Sequence, residues 1–143
     1  MTDLPESALP PAWQAALTHS RYLRQLLEAR PEVAIWLNGN ASRAADSRLM
    51  SAFLSSETPA SDDELKRNLR RLRQRVMAAL IVRDIGGQAP LAEVMETMTQ
   101  LADITTNLAL DFLHRQLVAQ FGEPLDSQGR PQRLLVVGMG KLG

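Results

Sequence analysis

The run Arg133-Leu134-Leu135-Val136-Val137-Gly138-Met139-Gly140-Lys141-Leu142-Gly143 constrains the fold most. Its consecutive apolar residues predict one buried strand over 134–137. Gly138, Gly140 and Gly143 follow where a backbone must turn tightly and come close to another group. A lone strand cannot satisfy its own N–H and C=O groups, so the run calls for neighbouring strands. The chain therefore reads as the front part of a longer protein, interrupted inside its functional motif. With no neighbour, 134–137 is expected to fray or to find a non-native partner.

Everything before this run has a helical period. After Pro10-Pro11, the residues Trp13, Ala16, Leu17, Ser20, Leu23, Leu26 and Leu27 recur at three-to-four spacing, which predicts one amphipathic helix ended by Pro31. Val33, Ile35, Trp36 and Leu37 mark a shorter helix that Asn38-Gly39-Asn40 breaks. Leu49, Met50, Phe53 and Leu54 mark a third, followed by a Ser- and Pro-containing loop over 55–61. Ser61-Asp62-Asp63-Glu64 has the form of a capping box, with carboxylates suited to the positive end of the helix dipole. From it Leu65, Leu69, Leu72, Val76 and Leu80 predict a long helix of about six turns, stopped by Gly86-Gly87. Pro90 opens another, whose face runs from Leu91 through Phe112 and Gln116 close to Phe121. Two long helices across a Gly-Gly turn predict an antiparallel hairpin. Residues 122–131, with two Gly, two Pro, Asp126 and Ser127, predict a loop.

The resulting fold class is mainly α, followed by the first strand and glycine turn of an α/β unit. Two regions follow: 1–131, helical, and 132–143, the start of a second domain. At 143 residues the chain is one domain long and able to bury roughly two thirds of its unfolded surface. Sixteen Lys and Arg balance sixteen Asp and Glu, so no global field draws it to nucleic acid or to an anionic membrane; a charge-driven partner must use a local patch. The absence of cysteine excludes disulfides and thiolate metal sites. Apolar runs fall far short of the ~20 residues that span a bilayer. Asp3 and Glu6 stand where a signal peptide is basic, and cytoplasm is the expected location.

The closing glycines admit several chemistries. A P-loop is excluded, because Walker A needs four residues between its first Gly and Gly-Lys, and then Ser or Thr. A dinucleotide fingerprint matches letter for letter and points to an NAD(P)-dependent oxidoreductase. A strand-to-helix turn of a nucleotidyltransferase-type site also fits, with backbone amides on phosphate and later carboxylates on metal. So does a tight turn with no ligand. A separate cluster of Lys66, Arg67, Arg70, Arg71, Arg73 and Arg75 lies within ten residues. Such runs are usually solvated helix faces, here with Asp62, Asp63 and Glu64 as expected partners. No aromatic residue is interleaved for base stacking, so no nucleic-acid role follows; a non-catalytic docking module using 66–75 remains open. His19 and His114 have no second ligand at i+3 or i+4 and read as surface or boundary residues. Asp103 and Asp111, eight apart, are expected to cap, pair or face water. Arg83-Asp84 predicts an ion pair bracing the glycine turn.

Taken in order, Leu69-Arg70-Arg71-Leu72-Arg73, Arg83-Asp84-Ile85-Gly86-Gly87, Leu101-Ala102-Asp103, Gly129-Arg130-Pro131 and the closing Gly138-Met139-Gly140-Lys141-Leu142-Gly143 resemble a known series. It is that of the amino-terminal, adenylyl-removing half of the bacterial bifunctional glutamine synthetase adenylyltransferase/adenylyl-removing enzymes. The resemblance covers roughly 60–143; before it, the stretch from Ser20 and Arg30-Pro31-Glu32 are the recognisable parts. It implies helices ahead of a nucleotidyltransferase domain of the DNA polymerase β type, in a protein with two catalytic halves. One half removes AMP from a tyrosine of glutamine synthetase by phosphorolysis, releasing ADP, and the other adds AMP from ATP. Glutamine and a nitrogen-regulatory signal protein govern the balance.

By that resemblance Gly138, Gly140, Lys141 and Gly143 form the turn that faces nucleotide phosphate, with Lys141 supplying charge. The family continues into Ser-Ser-Asp-Ile-Asp, whose aspartates hold Mg2+; this segment is absent here. The expectation is a chain that is inactive alone. Ala79 stands where the resemblance leads one to expect a basic residue.

Overall fold

The computed structural model describes residues 10–139, which divide into two units meeting between Leu101 and Ala102. The described part of the first contains α1 (Pro11–His19), α2 (Arg21–Ala29), α3 (Pro31–Asn40), α4 (Ser47–Ser56), α5 (Asp62–Ile85) and the opening turns of α6 (Leu91–Phe121).

The single helix expected between Pro11 and Pro31 is two helices. Ser20 takes an extended conformation, and its Oγ accepts from the Leu23 N–H at 3.1 Å, making it the N-cap of α2. The carbonyls released at the end of α1 are met by Arg24, whose guanidinium donates to Leu17 O and, at 3.0 Å, to Thr18 O. A capping serine inside an apolar period therefore outweighs the period. In α3 the reverse holds. Asn38, Gly39 and Asn40 complete the helix rather than break it, and Asn40 donates its side-chain N–H to Trp36 O at 2.8 Å.

Helix α4 starts at a cap the sequence reading passed over: Asp46 Oδ1 accepts from Leu49 N–H at 2.9 Å. At α5, Ser61 Oγ accepts from Glu64 N–H as expected, at 3.3 Å, but Glu64 reaches back one residue further and accepts from Ala60 N–H at 2.8 Å. Its other end is a close approach. A Cβ on Gly86 would stand 2.5 Å from Ala12 Cβ and 2.6 Å from Val82 O, so glycine there lets α1 reach α5. Gly87, at φ +68°, supplies the left-handed turn.

Helix α5 is the axis of the first unit, with α1, α2, α3 and α4 packed on it. Leu23, Leu37, Met50, Leu72, Val76 and Val82 are its most completely buried large side chains. Ala79 is buried too, so the basic residue expected there would have no access to solvent in this packing. The antiparallel hairpin expected of α5 and α6 is not among the close pairings of the unit; charge pairing across the Gly-Gly turn holds the start of α6 instead.

The second unit holds the rest of α6 and residues 122–139. The expected loop contains a small hairpin. Leu125 and Pro131 form an antiparallel bridge, flanked by Asp126 N–H to Arg130 O at 2.9 Å and Gln132 N–H to Pro124 O at 2.8 Å. Asp126 fastens it, accepting from the backbone N–H groups of Gln128 (2.8 Å) and Arg130 (2.9 Å) on Oδ1 and from Arg130 Nε on Oδ2 (2.8 Å). The backbone N–H of Arg130, then its guanidinium, hold the Asp126 carboxyl below the usual carboxylate range.

The strand expected at 134–137 is not formed among the described residues. Leu134, Leu135, Val136 and Val137 are all exposed, Leu135 by 82%. A β-strand is defined by its neighbour's ladder, and none of the described residues supplies one.

Candidate functional site

Of the four residues expected to face phosphate, Gly138 is exposed and lies outside any helix or strand, next to an exposed Met139. Gly140, Lys141 and Gly143 lie outside the described residues. Just before them, Arg133 Nη1 stands 3.5 Å from Asp111 Oδ1 on α6. Asp111 is thus an ion-pair partner and Asp103 is an exposed residue; both fit the non-catalytic reading of that pair.

The basic stretch of α5 sorts into three kinds of residue. Arg71 Nη1 donates to Glu57 Oε2 at 2.8 Å, while the buried Asn68 donates Nδ2 to Glu57 O at 2.6 Å, so the end of α4 is clamped to α5. Arg75 lies over the Phe53 ring at 4.5 Å and the Trp36 ring at 5.7 Å, with its pKa lowered first by burial and then by Arg71. These are packing roles. Of the expected acidic partners, only Asp63 is used, by Lys66 at 3.7 Å; Glu64 is committed to the cap and Glu57 was not foreseen.

Besides Arg73, which is likewise exposed and in none of these ion pairs, Arg67 and Arg70 remain, both exposed and without an ion-pair partner among the described residues. They line an open groove of about 580 Å³ together with Arg30, Glu32, Arg71 and Gln74. Arg30 and Glu32 come from the junction at which α2 ends and α3 begins, where Arg30 N–H closes α2 onto Leu26 O at 2.8 Å. The positive end of the α3 dipole borders the groove. A second hollow, of about 360 Å³, is lined by Tyr22, Arg73, Met77 and Ile81.

Arg83 does brace the glycine turn, but not through Asp84, which is exposed. Its Nε donates to Glu93 Oε1 at 2.6 Å and its Nη2 to Glu93 Oε2 at 2.9 Å, a bidentate pair with side chains only 11% and 17% exposed. Weaker contacts to Ala41 O (3.4 Å) and Gln88 O (3.3 Å) complete the fork. The hydrogen bonds raise the Arg83 pKa and lower that of Glu93. His19 is exposed at the end of α1, and His114 Nε2 stands 3.4 Å from Glu123 Oε1, as boundary residues. No group of His, Asp or Glu able to hold a metal ion occurs among the described residues, so the Mg2+ implied by the resemblance finds no ligand set there.

Residues 13–143 match the family model described as glutamate-ammonia ligase adenylyltransferase. The chain is 43% identical over 137 residues to a bifunctional glutamine synthetase adenylyltransferase/adenylyl-removing enzyme of Aromatoleum aromaticum, covering 96% of this chain and 14% of that protein. A protein of the same description from Bordetella pertussis is 41% identical over 145 residues, covering 96% and 15%. One from Nitrosomonas eutropha is 43% identical over 132 residues, covering 89% and 14%. No solved structure matches. The chain belongs to the glutamate-ammonia ligase adenylyltransferase family, and it spans about 14% of the length of the first of these relatives.

Proposed function

We propose that this chain is the helical region, and the opening of the phosphate-facing turn, of an enzyme that removes AMP from and adds AMP to a tyrosine of glutamine synthetase. The observation that carries the reading is the family match over residues 13–143, which runs through Gly138-Met139-Gly140-Lys141-Leu142-Gly143. That match does not favour the oxidoreductase alternative. In the removal step a phosphate oxygen attacks the phosphorus of the tyrosyl-AMP diester, the bond to the tyrosine oxygen breaks, tyrosine takes up a proton, and ADP leaves. The part of this chain is electrostatic: amides at Gly138, Gly140 and Gly143, with the Lys141 ammonium, offer positive partial charge to phosphate.

Carboxylates for Mg2+ would come from elsewhere in a longer polypeptide, and no step is assigned to them here. The reading includes ATP, ADP and phosphate as substrates, glutamine synthetase and a nitrogen-regulatory signal protein as partners, and a cytoplasmic setting. No helix of the described residues is long and apolar enough to cross a membrane.

The test uses AMP-modified glutamine synthetase and measures phosphate-dependent ADP release. A longer polypeptide carrying this chain is expected to release ADP, and Lys141→Ala in it to slow release on the order of 10- to 100-fold. The 143-residue chain alone is expected to release none. ADP release by the short chain, or none by the longer one, overturns the proposal.

A further inference from the structure

We infer that the groove between the α2–α3 junction and α5 is a docking site for an extended acidic segment of a partner protein. Four arginines, Arg30, Arg67, Arg70 and Arg71, face one glutamate, Glu32, in a chain whose net charge is zero, so the positive charge is local. Among the described residues, Arg71 alone of the four is neutralised by an ion pair, to Glu57. Arg67, Arg70, Arg71 and Gln74 fall at i, i+3, i+4 and i+7 and so share one face of α5. That stripe is about 10 Å long at ~1.5 Å per residue. An extended peptide advances ~3.3 Å per residue, so about three residues lie along it and alternate side chains meet successive guanidinium forks.

Carboxylates are good partners for these forks because both are planar and bidentate. A single small anion reaches only part of the stripe. The lining holds no aromatic ring on which a nucleotide base would stack. The rest of the basic stretch is excluded by its contacts: Lys66 pairs with Asp63, and Arg73 lines the other hollow.

The experiment titrates a fluorescent Glu-Ser-Glu-Ser-Glu-Ser peptide with the 143-residue chain at about 50 and 150 mM salt, spanning a range of screening lengths. A Gln-Ser peptide of equal length is the control. Saturable binding of the acidic peptide alone is expected, weaker at the higher salt, and reduced at least tenfold by Arg67→Glu with Arg70→Glu. Both positions are exposed, and circular dichroism checks that the helices persist. Glu32→Gln is expected to tighten binding two- to threefold, and Arg73→Glu to leave it within twofold. No binding at either salt, equal loss with Arg73→Glu, or full displacement by equimolar ADP or pyrophosphate overturns the inference; displacement marks a small-anion site instead.

Discussion

Helix α5 and the second half of α6 both carry apolar residues at helical spacing, yet they end in opposite environments. On α5, Leu72, Val76 and Val82 are fully buried beneath four shorter helices. Along α6 beyond Leu101, Phe112 is buried, whereas Leu113, Leu117 and Phe121 stay exposed by 42, 54 and 73%, and the apolar run at 134–137 is exposed as well. The contrast teaches that an apolar stripe specifies a helix and the side it would bury, but burial itself depends on a partner being present. Stability in this chain is accordingly expected to reside in the first unit.

The sharpest way to break that contrast is a matched pair of truncations. Leu72→Ala is expected to destabilise the chain by ~2–5 kcal/mol, the range for a buried leucine leaving a cavity. Leu117→Ala is expected to stay within about 0.5 kcal/mol, as for an exposed position. Denaturant unfolding of both variants measures the difference, and equal losses would show that the second unit has a core of its own.

Next in size is the pair that fastens the turn between α5 and α6. Replacing Arg83 by Met leaves Glu93 enclosed and unpaired, and is expected to cost about 3 kcal/mol, the low end for breaking a buried pair. The Glu93 carboxyl is held below its ordinary value, first by its hydrogen bonds to Arg83. Its contribution is therefore complete above the unfolded-state pKa of about 4.3 and is lost as pH falls through the lower folded-state value. Glu93→Gln should flatten the acid limb of a plot of stability against pH; an unchanged slope would remove the pair from the account.

The smallest effect is expected in the second unit. Asp126→Ala removes the acceptor of the Gln128 and Arg130 amides and should accelerate their hydrogen exchange while leaving the global unfolding midpoint unchanged. In the parent chain the same amides should lose protection as pH drops below the depressed Asp126 value, after correction for the intrinsic exchange rate. A shift of the global midpoint would mean that the hairpin is coupled to the main core.

Local chemistry was legible wherever one residue acts on its near neighbours. Ser61 as a cap, Gly86-Gly87 as a stop, and the loop beginning at Gly122 could all be read from spacing. The Asp126 staple carried a readable signal as well, an Asp three residues before Gly129 and four before Arg130. Ser20 was misassigned because an uninterrupted apolar period hid a capping residue. The pairing of Arg83 with Glu93 rather than adjacent Asp84 was not legible, because the path of the chain through Gly87 decides which carboxylate the guanidinium meets.

The same division holds for the candidate sites. Family membership was in the linear sequence, because a motif is a local pattern of residue types. The arginine groove was not: residues 66–75 looked like one basic face until the α2–α3 junction contributed Arg30 and Glu32, Glu57 paired with Arg71, and Phe53 and Trp36 withdrew Arg75 into a packing role. The sequence by itself determined the ends of α5, at Ser61 and Gly86-Gly87, and which family the chain resembles, since both depend on neighbours in the chain. Which charges pair, which stripe is buried and which arginines stay open to a ligand were decided by tertiary structure alone, because Coulomb attraction and burial depend on distance in space.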